Sequence, residues 1–231
     1  MADDKQPKRL IFEQLARVAK AVAQSNRLEL LEALSQGERG VENLARACGM
    51  SVANTSHHLQ ILRDGGFVES RKSGVQVYYR LSGDEVTTLL TALKDMGERH
   101  VAEIEHIVRQ HFATFDDLTP VGHKELLQLL QKDQVTVIDV RPESEYHAGH
   151  VKGAINIPLD HLSRQLPSLP KDHEVVAYCR GPYCLLAYEA VRKLRQHGFR
   201  ARRLHEGFPE WKAGRLPSAT GSEKTADRRK P

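Results

Sequence analysis

Apolar positions between residues 9 and 36 (Leu10, Ile11, Leu15, Val18, Ala19, Val22, Leu28, Leu30, Leu31, Leu34) recur at mostly helical spacing, with a break near Ser25-Asn26. Gly37 and Gly40 stop the pattern. Over "VENLARACGMSVANTSHHLQILRDGGFV" the spacing predicts two short helices joined by a turn at Gly49. The first turns Val41, Leu44, Ala45 and Cys48 inward; the second starts at the capping residue Ser51 and buries Val52, Leu59 and Leu62. Past Gly65-Gly66, "FVESRKSGVQVYYRLS" alternates apolar and polar residues around Ser73-Gly74, which predicts a β-hairpin with basic residues near its tip. From Asp84 to Phe112, Val86, Leu89, Leu90, Leu93, Met96, Val101, Ile104, Ile107 and Val108 form one stripe, the mark of a long amphipathic helix. A terminal helix with that much apolar face needs a partner, so a homodimer through the helices near 10–35 and 84–112 is expected.

The texture changes after "ATFDDLTPV", read as a linker over 113–121. "ELLQLLQ" predicts a helix, "VTVIDV", "GAINIP" and "EVVAYC" predict strands, "LLAYEAVRKLRQHGF" a helix, and "ARRL" a last strand. Nearly continuous apolar strands alternating with helices imply a parallel sheet covered on both faces. Residues 1–112 and 122–217 are therefore expected as two domains, and the polar stretch 218–231 as a disordered tail. No internal repeat is visible.

Charge changes this picture little. The formal net charge is +4, but residues 1–112 hold 15 Lys+Arg against 15 Asp+Glu, and the excess lies in residues 113–231. Net charge alone thus does not argue for DNA binding. No apolar run approaches the roughly 20 residues of a membrane helix, and "MADDKQPKRL" is unlike a secretory signal, so a cytoplasmic protein without membrane contact is expected. Three cysteines are too few and too uneven for a secreted disulfide framework; a Cys179/Cys184 pair suits metal or redox work better.

A helix-turn-helix offers its second helix to the major groove, where Asn and His address base edges and Ser, Thr and Arg hold phosphates. Here that helix supplies Asn54, Thr55, Ser56, His57, His58, Gln60 and Arg63, and the hairpin adds Arg71, Lys72 and Gln76. The order helix, turn, helix, basic hairpin, with "HHLQILRDGGFVESRKSGVQVYYRLS" and its Tyr78-Tyr79 pair, resembles the winged-helix ArsR-type transcriptional repressors over roughly residues 10 to 110. Many such proteins sense metals through a cysteine pair on the first helix of the motif, where this chain has only Cys48, expected as a small core residue. On the last helix, His106 points about 120° from His100, and His111 lies about 16 Å along the axis, so one helix cannot assemble a site. No metal and no cofactor are expected.

"VIDVRPESEYHAGHVKGAINIPLDHL" and "EGFPEWKAGRLP" flank "CRGPYC" and resemble the rhodanese family over about residues 122 to 217. The two resemblances imply a mainly-α winged helix-turn-helix domain with a β-hairpin wing, followed by an α/β rhodanese-like domain with a parallel sheet. Asp139, Arg141 and Glu145 are expected to tie strand to loop by ion pairs and hydrogen bonds. A strand ending at Cys179, followed by Arg180, Gly181 and Tyr183 of the loop and a helix from Leu185, would put the Cys179 sulfur inside a ring of N–H groups near a helix N-terminus. Both effects favour thiolate, so Cys179 is the expected nucleophile and persulfide carrier. A cysteine phosphatase would need His and Arg where Tyr178 and Leu185 stand.

Two residues depart from the commonest rhodanese loop, C-R-x-G-x-R: Pro182 replaces glycine and Cys184 replaces the second arginine. The first withdraws an N–H from the cradle, and the second weakens attraction for anionic thiosulfate. Cys184 either resolves the Cys179 persulfide into a disulfide or packs under the loop as a small hydrophobe. Three readings follow. One is a dimeric repressor of a double-stranded DNA operator whose second domain senses sulfane sulfur or redox state. The second is a sulfurtransferase moving sulfur from small sulfane donors to thiol acceptors, with DNA binding secondary. The third is a metal-responsive repressor.

Overall fold

Gln24 stops the first helical run. The computed structural model describes residues 5–112 and 119–221 and ends α1 (Lys5–Val22) just before it. The side chain of Gln24 accepts from Arg27 N at 3.1 Å and so caps α2 (Ser25–Ser35). After the short strand β1 (Arg39–Gly40) come α3 (Val41–Ala47) and α4 (Val52–Asp64). The turn between them relies on Gly49 at φ 63, a left-handed conformation that costs glycine little. The hairpin is β2 (Val68–Ser73) and β3 (Gln76–Leu81), paired from Val68↔Leu81 to Ser73↔Gln76, with β1 added antiparallel on β3. Leu30, Leu31, Leu44, Leu59, Leu62, Phe67 and Val86 form the core.

The stripe from 84 to 112 is not one helix. It is α5 (Asp84–His100) and α6 (Ala102–His111), separated by Val101 in extended conformation at φ −115, ψ 98. The Ile104 side chain of α6 reaches back to α5 there: a Cβ on Gly97 would meet Ile104 Cδ1 at 2.8 Å.

The alternating half begins with α7 (His123–Gln131), β4 (Val135–Asp139), α8 (Glu143–Ala148) and the two-residue strands β5 (His150–Val151) and β6 (Ile155–Asn156). The short helix α9 (Leu162–Gln165) leads to β7 (Glu174–Tyr178), α10 (Leu185–Gln196), β8 (Ala201–Arg203), α11 (Phe208–Ala213) and β9 (Ser218–Ala219). The four-stranded sheet runs β6-β4-β7-β8 with every pair parallel, and β5 pairs with β9 apart from it. Side chains alternate across β4 and β7. Ile138, Val140, Val175, Ala177 and Cys179 enter one core with α10, while Val135, Val137, Val176 and Tyr178 enter another with Trp211. This is the covered parallel sheet read from the strand texture.

The chain divides into two compact units, Met1–Leu90 and Thr91–Pro231. Residues 113–118 of the expected linker and 222–231 of the expected tail lie outside the described residues. Among the described residues no helix is long and apolar enough to cross a membrane.

Candidate functional site

In the first unit, Ser51 sets the start of α4, its hydroxyl accepting from Asn54 N at 3.2 Å. Asn54, Ser56, His57 and Arg63 are exposed and Gln60 half-exposed along the helix. Arg63 donates to Gln60 Oε1 at 2.6 Å and reaches Ser70 of the wing at 3.4 Å. Two residues expected at the DNA face are turned the other way. Thr55 is fully buried, its hydroxyl donating to Ser51 O at 2.9 Å, and His58 is buried too. The reason is the helical period: 55, 58, 59 and 62 make one face, and that face packs on the core. Burial, with the Arg27 charge behind it, lowers the His58 pKa, so this ring stays neutral at pH 7.

On the wing Lys72 and Gln76 are exposed, and Gln76 accepts from the Tyr78 hydroxyl at 2.6 Å. Arg71 is held: it donates to both Glu38 oxygens, with Nε at 2.8 and 3.0 Å, and lies over the Tyr78 ring. Thirty-three residues of sequence separate that pair, so no local pattern announced Glu38.

In the second unit β7 delivers Cys179 to a tight loop. Gly181 O accepts from Cys184 N at 3.1 Å, closing a four-residue turn with Pro182 at its second position, where proline's fixed φ is favourable. The substitution that costs the cradle a donor thus shapes the turn. Tyr188 of α10 donates to Pro182 O at 3.3 Å, and Tyr183 donates to Glu98 Oε1 at 2.7 Å. Gly207 presses on the loop from below: a Cβ there would stand 2.4 Å from Arg180 C and Gly181 N, so glycine is required by close approach. Next to it Phe208 N donates to Cys179 O at 3.2 Å. The Phe208 ring lies where a Cβ on Gly149 would be and under the Arg141 guanidinium.

Asp139 and Arg141 tie strand to loop. Both side chains are fully buried; Arg141 donates Nε at 3.0 Å to Asp139 Oδ1 and another nitrogen at 2.6 Å to Oδ2, and reaches Gly149 O at 2.7 Å. Glu145 works elsewhere. From α8 it accepts two-pronged donation from Arg180 at 2.7 and 3.0 Å, and so holds the cysteine loop itself.

The two sulfurs differ sharply. Cys179 is 2% exposed, part of the core under α10, and its thiol donates toward Cys184 O at 3.4 Å and Gly181 O at 3.8 Å. Burial and the neighbouring Cys184 push its pKa well up. Cys184, half-buried at the N-cap of α10, accepts from the Cys179 thiol and from the N–H groups of Arg180 and Leu186, and lies near the Arg180 charge. Against the opposing effect of burial, these bring it down to about 6. The N–H groups of Gly181 and Ala187 face Cys179 and act against the rise of its pKa, so the loop divides its backbone donors between the two sulfurs, while residue 179 shares its strand face with the core positions 175 and 177. Cys48 is half-buried at the end of α3, with its pKa raised chiefly by burial. Among the described residues no three His, Cys, Asp or Glu side chains gather as a metal-holding group.

With this geometry in hand, comparison with known proteins is decisive. The family of bacterial regulatory proteins of arsR type matches residues 24–70, and the rhodanese-like domain matches residues 122–214. The HTH-type transcriptional regulator Rv0324 of Mycobacterium tuberculosis is 40% identical over 222 residues, 96% of this chain and 97% of its own length. The chain belongs to the ArsR family of transcriptional regulators, in the branch that carries a rhodanese-like domain. A sulfurtransferase of Allochromatium vinosum is 30% identical over 91 residues, 39% of this chain and 83% of that protein. The solved winged helix-turn-helix DNA-binding domain of a possible ArsR-family regulator from Mycobacterium bovis, described as homodimeric, is 40% identical over 44% of this chain and 94% of that one, at a TM-score of 0.41.

In this ArsR regulator the departures at Pro182 and Cys184 acquire a shared meaning. Residue 184 brings a second sulfur where the commonest rhodanese loop has an arginine, Arg180 is engaged by Glu145, and the loop's backbone N–H groups are shared between the two sulfurs.

Proposed function

We propose that this regulator binds a double-stranded DNA operator as a homodimer and represses transcription. We further propose that its rhodanese-like domain senses sulfane sulfur through the Cys179/Cys184 pair, working in the cytoplasm. The reading rests above all on one observation: one short loop brings two thiol-bearing residues together, the Cys179 sulfur lying 3.4 Å from Cys184 O, in the same chain as a DNA-binding motif. Such a pair can take up a sulfur atom as a persulfide and resolve it to a disulfide, with small sulfane donors and thiol acceptors as its partners. The exposed positions Asn54, Ser56, His57, Gln60 and Arg63 address the major groove, and Lys72, Gln76 and Arg71 the flanking backbone. The exposed apolar face of α1, with Leu10, Ile11, Phe12 and Leu15 each more than half exposed, supports a self-association surface.

The test is titration of a DNA fragment, selected by the protein from a random duplex pool, with and without sodium polysulfide. A polysulfide-dependent change of about tenfold or more in Kd, absent from a Cys179→Ser/Cys184→Ser double variant, supports the reading. Operator affinity indifferent to polysulfide overturns it. The rhodanese-like match supports the rival reading of a sulfurtransferase in its own right; rapid steady-state turnover of thiosulfate and cyanide beside polysulfide-insensitive DNA binding would establish that enzyme.

A further inference from the structure

Tyr183, the loop residue next to Cys184, is tied to a helix far away in sequence: its hydroxyl donates to Glu98 Oε1 of α5 at 2.7 Å. Around the same ring lie Lys94, with Nζ 5.7 Å from the centroid, and Phe112, with ring centroids 6.1 Å apart. Phe112 also meets Tyr188, whose hydroxyl donates to Pro182 O. Lys94 reaches the wall under the loop as well. It stands 4.0 Å from Glu210, and Glu210 accepts from Gly207 N at 3.0 Å, the glycine that presses on Arg180 and Gly181. All of these residues belong to the second unit, yet the helix that carries Lys94 and Glu98 begins in the first, where Val86 and Leu90 share a core with Leu59 and Leu62 of α4.

We propose that the Tyr183–Glu98 hydrogen bond is the contact through which the chemical state of the cysteine loop is passed to α5. The proposal rests on the sulfur-sensing reading above and names how its signal leaves the loop. A hydropersulfide, RS–SH, gives its outer sulfur to a loop cysteine: the Cys–S bond forms as the RS–S bond breaks, and RSH leaves. Attack by the other cysteine thiol then closes the disulfide and releases that sulfur as hydrogen sulfide, so two thiols are oxidised while the sulfane sulfur is reduced. Once Cys179 carries a sulfur atom or a disulfide, its own sulfur has no proton for Cys184 O and Gly181 O, the carbonyls that it serves at 3.4 and 3.8 Å. At 2% exposure it also has little free space for another atom bonded at about 2 Å. Gly207, packed against Arg180 and Gly181, leaves the loop no slack on that side. The adjustment therefore falls on residues 182–184, with Tyr183 in their midst. A hydrogen bond of this length is lost once its atoms part by about 1 Å, and the last turns of α5 then lose an anchor.

The experiment follows amide hydrogen exchange of residues 94–100 in the full-length protein before and after anaerobic treatment with cysteine hydropersulfide, the added sulfur or disulfide being mapped by peptide mass spectrometry. Treatment is expected to speed exchange there about tenfold or more. Glu98→Ala and Tyr183→Phe break the bond from either side, so each should exchange at the faster rate untreated and gain no more than about twofold on treatment. Arg99→Ala, which removes the pair with Asp95 on the exposed side of the same turn, should behave as the unmodified chain does. Sulfur taken up by the unmodified protein with no change in exchange at 94–100 overturns the proposal, as do Glu98→Ala and Tyr183→Phe chains that respond in full. Faster exchange beside an operator affinity indifferent to polysulfide leaves the Tyr183–Glu98 contact standing and removes sulfur sensing. Neither sulfur nor a disulfide on the loop cysteines of the treated unmodified protein removes both. Because the deciding rate is read in the unmodified chain, the answer does not depend on either variant folding.

Discussion

Arg141 and Asp139 show how a buried charge is made tolerable: each guanidinium donor that is described meets an oxygen, and both side chains are wholly removed from water. Removing one partner leaves the other charged, buried and unanswered. Arg141→Met is expected to cost about 3–5 kcal/mol, read from denaturant unfolding of the full chain; a loss below about 1 kcal/mol would mean that water reaches Asp139. The cysteines allow a pH prediction with a definite sign. A thiol lowered to about 6 is ionised above that pH and protonated below it, so iodoacetamide labelling of Cys184 should climb through about pH 6 and level off by neutrality. Cys179, pushed up by burial, should stay unlabelled across that range in the native protein. Labelling of Cys184 that rises only near pH 8 to 9 would contradict the hydrogen-bonding pattern of the loop.

At the scale of elements, α4 divides its polar residues between two tasks. Thr55 and His58 serve the core, while Asn54, Ser56, His57, Gln60 and Arg63 form the outward face. Replacing Asn54 or Arg63 by Ala is expected to weaken binding to the selected duplex by about 1–3 kcal/mol and relax its sequence preference. Lys72→Ala should instead weaken all sequences alike and reduce the salt slope by about 1. Filter binding over a series of salt concentrations separates the two behaviours. A Thr55→Ser chain that loses sequence preference while keeping its stability would show that α4 lies in the groove by another face. The set of polar residues on this helix was legible from sequence, but their division depended on which stripe the core claimed. Likewise the hydrophobic stripe of 84–112 gave no warning of the break at Val101, since α5 and α6 continue the same amphipathic pattern.

For the whole molecule, the proposed dimer makes the most direct demand. Leu30, Leu31 and Leu34 of α2 are spent inside their own unit, so within residues 10–35 the surface left for a second copy is on α1. Leu15→Glu is expected to shift the protein from dimer to monomer in sedimentation experiments and to abolish tight operator binding, with little loss of secondary structure. A variant that sediments as a dimer would move the interface elsewhere.

Local pattern was enough to establish the two kinds of domain, the covered parallel sheet, the helix-turn-helix with its wing, and the two sulfur atoms of the loop, because periodicity, turn residues and motif spacing are properties of neighbouring residues. It took the folded chain to show that Glu38 restrains the wing arginine, that Glu145 holds Arg180, and that Cys179 is buried in the core while Cys184 is half-buried. The position of Cys179 did leave a trace in the strand's alternation, which puts residue 179 with 175 and 177. A sulfur's charge, though, follows from how many donors surround it and how much water reaches it, and both are set by segments that the chain brings together from far apart.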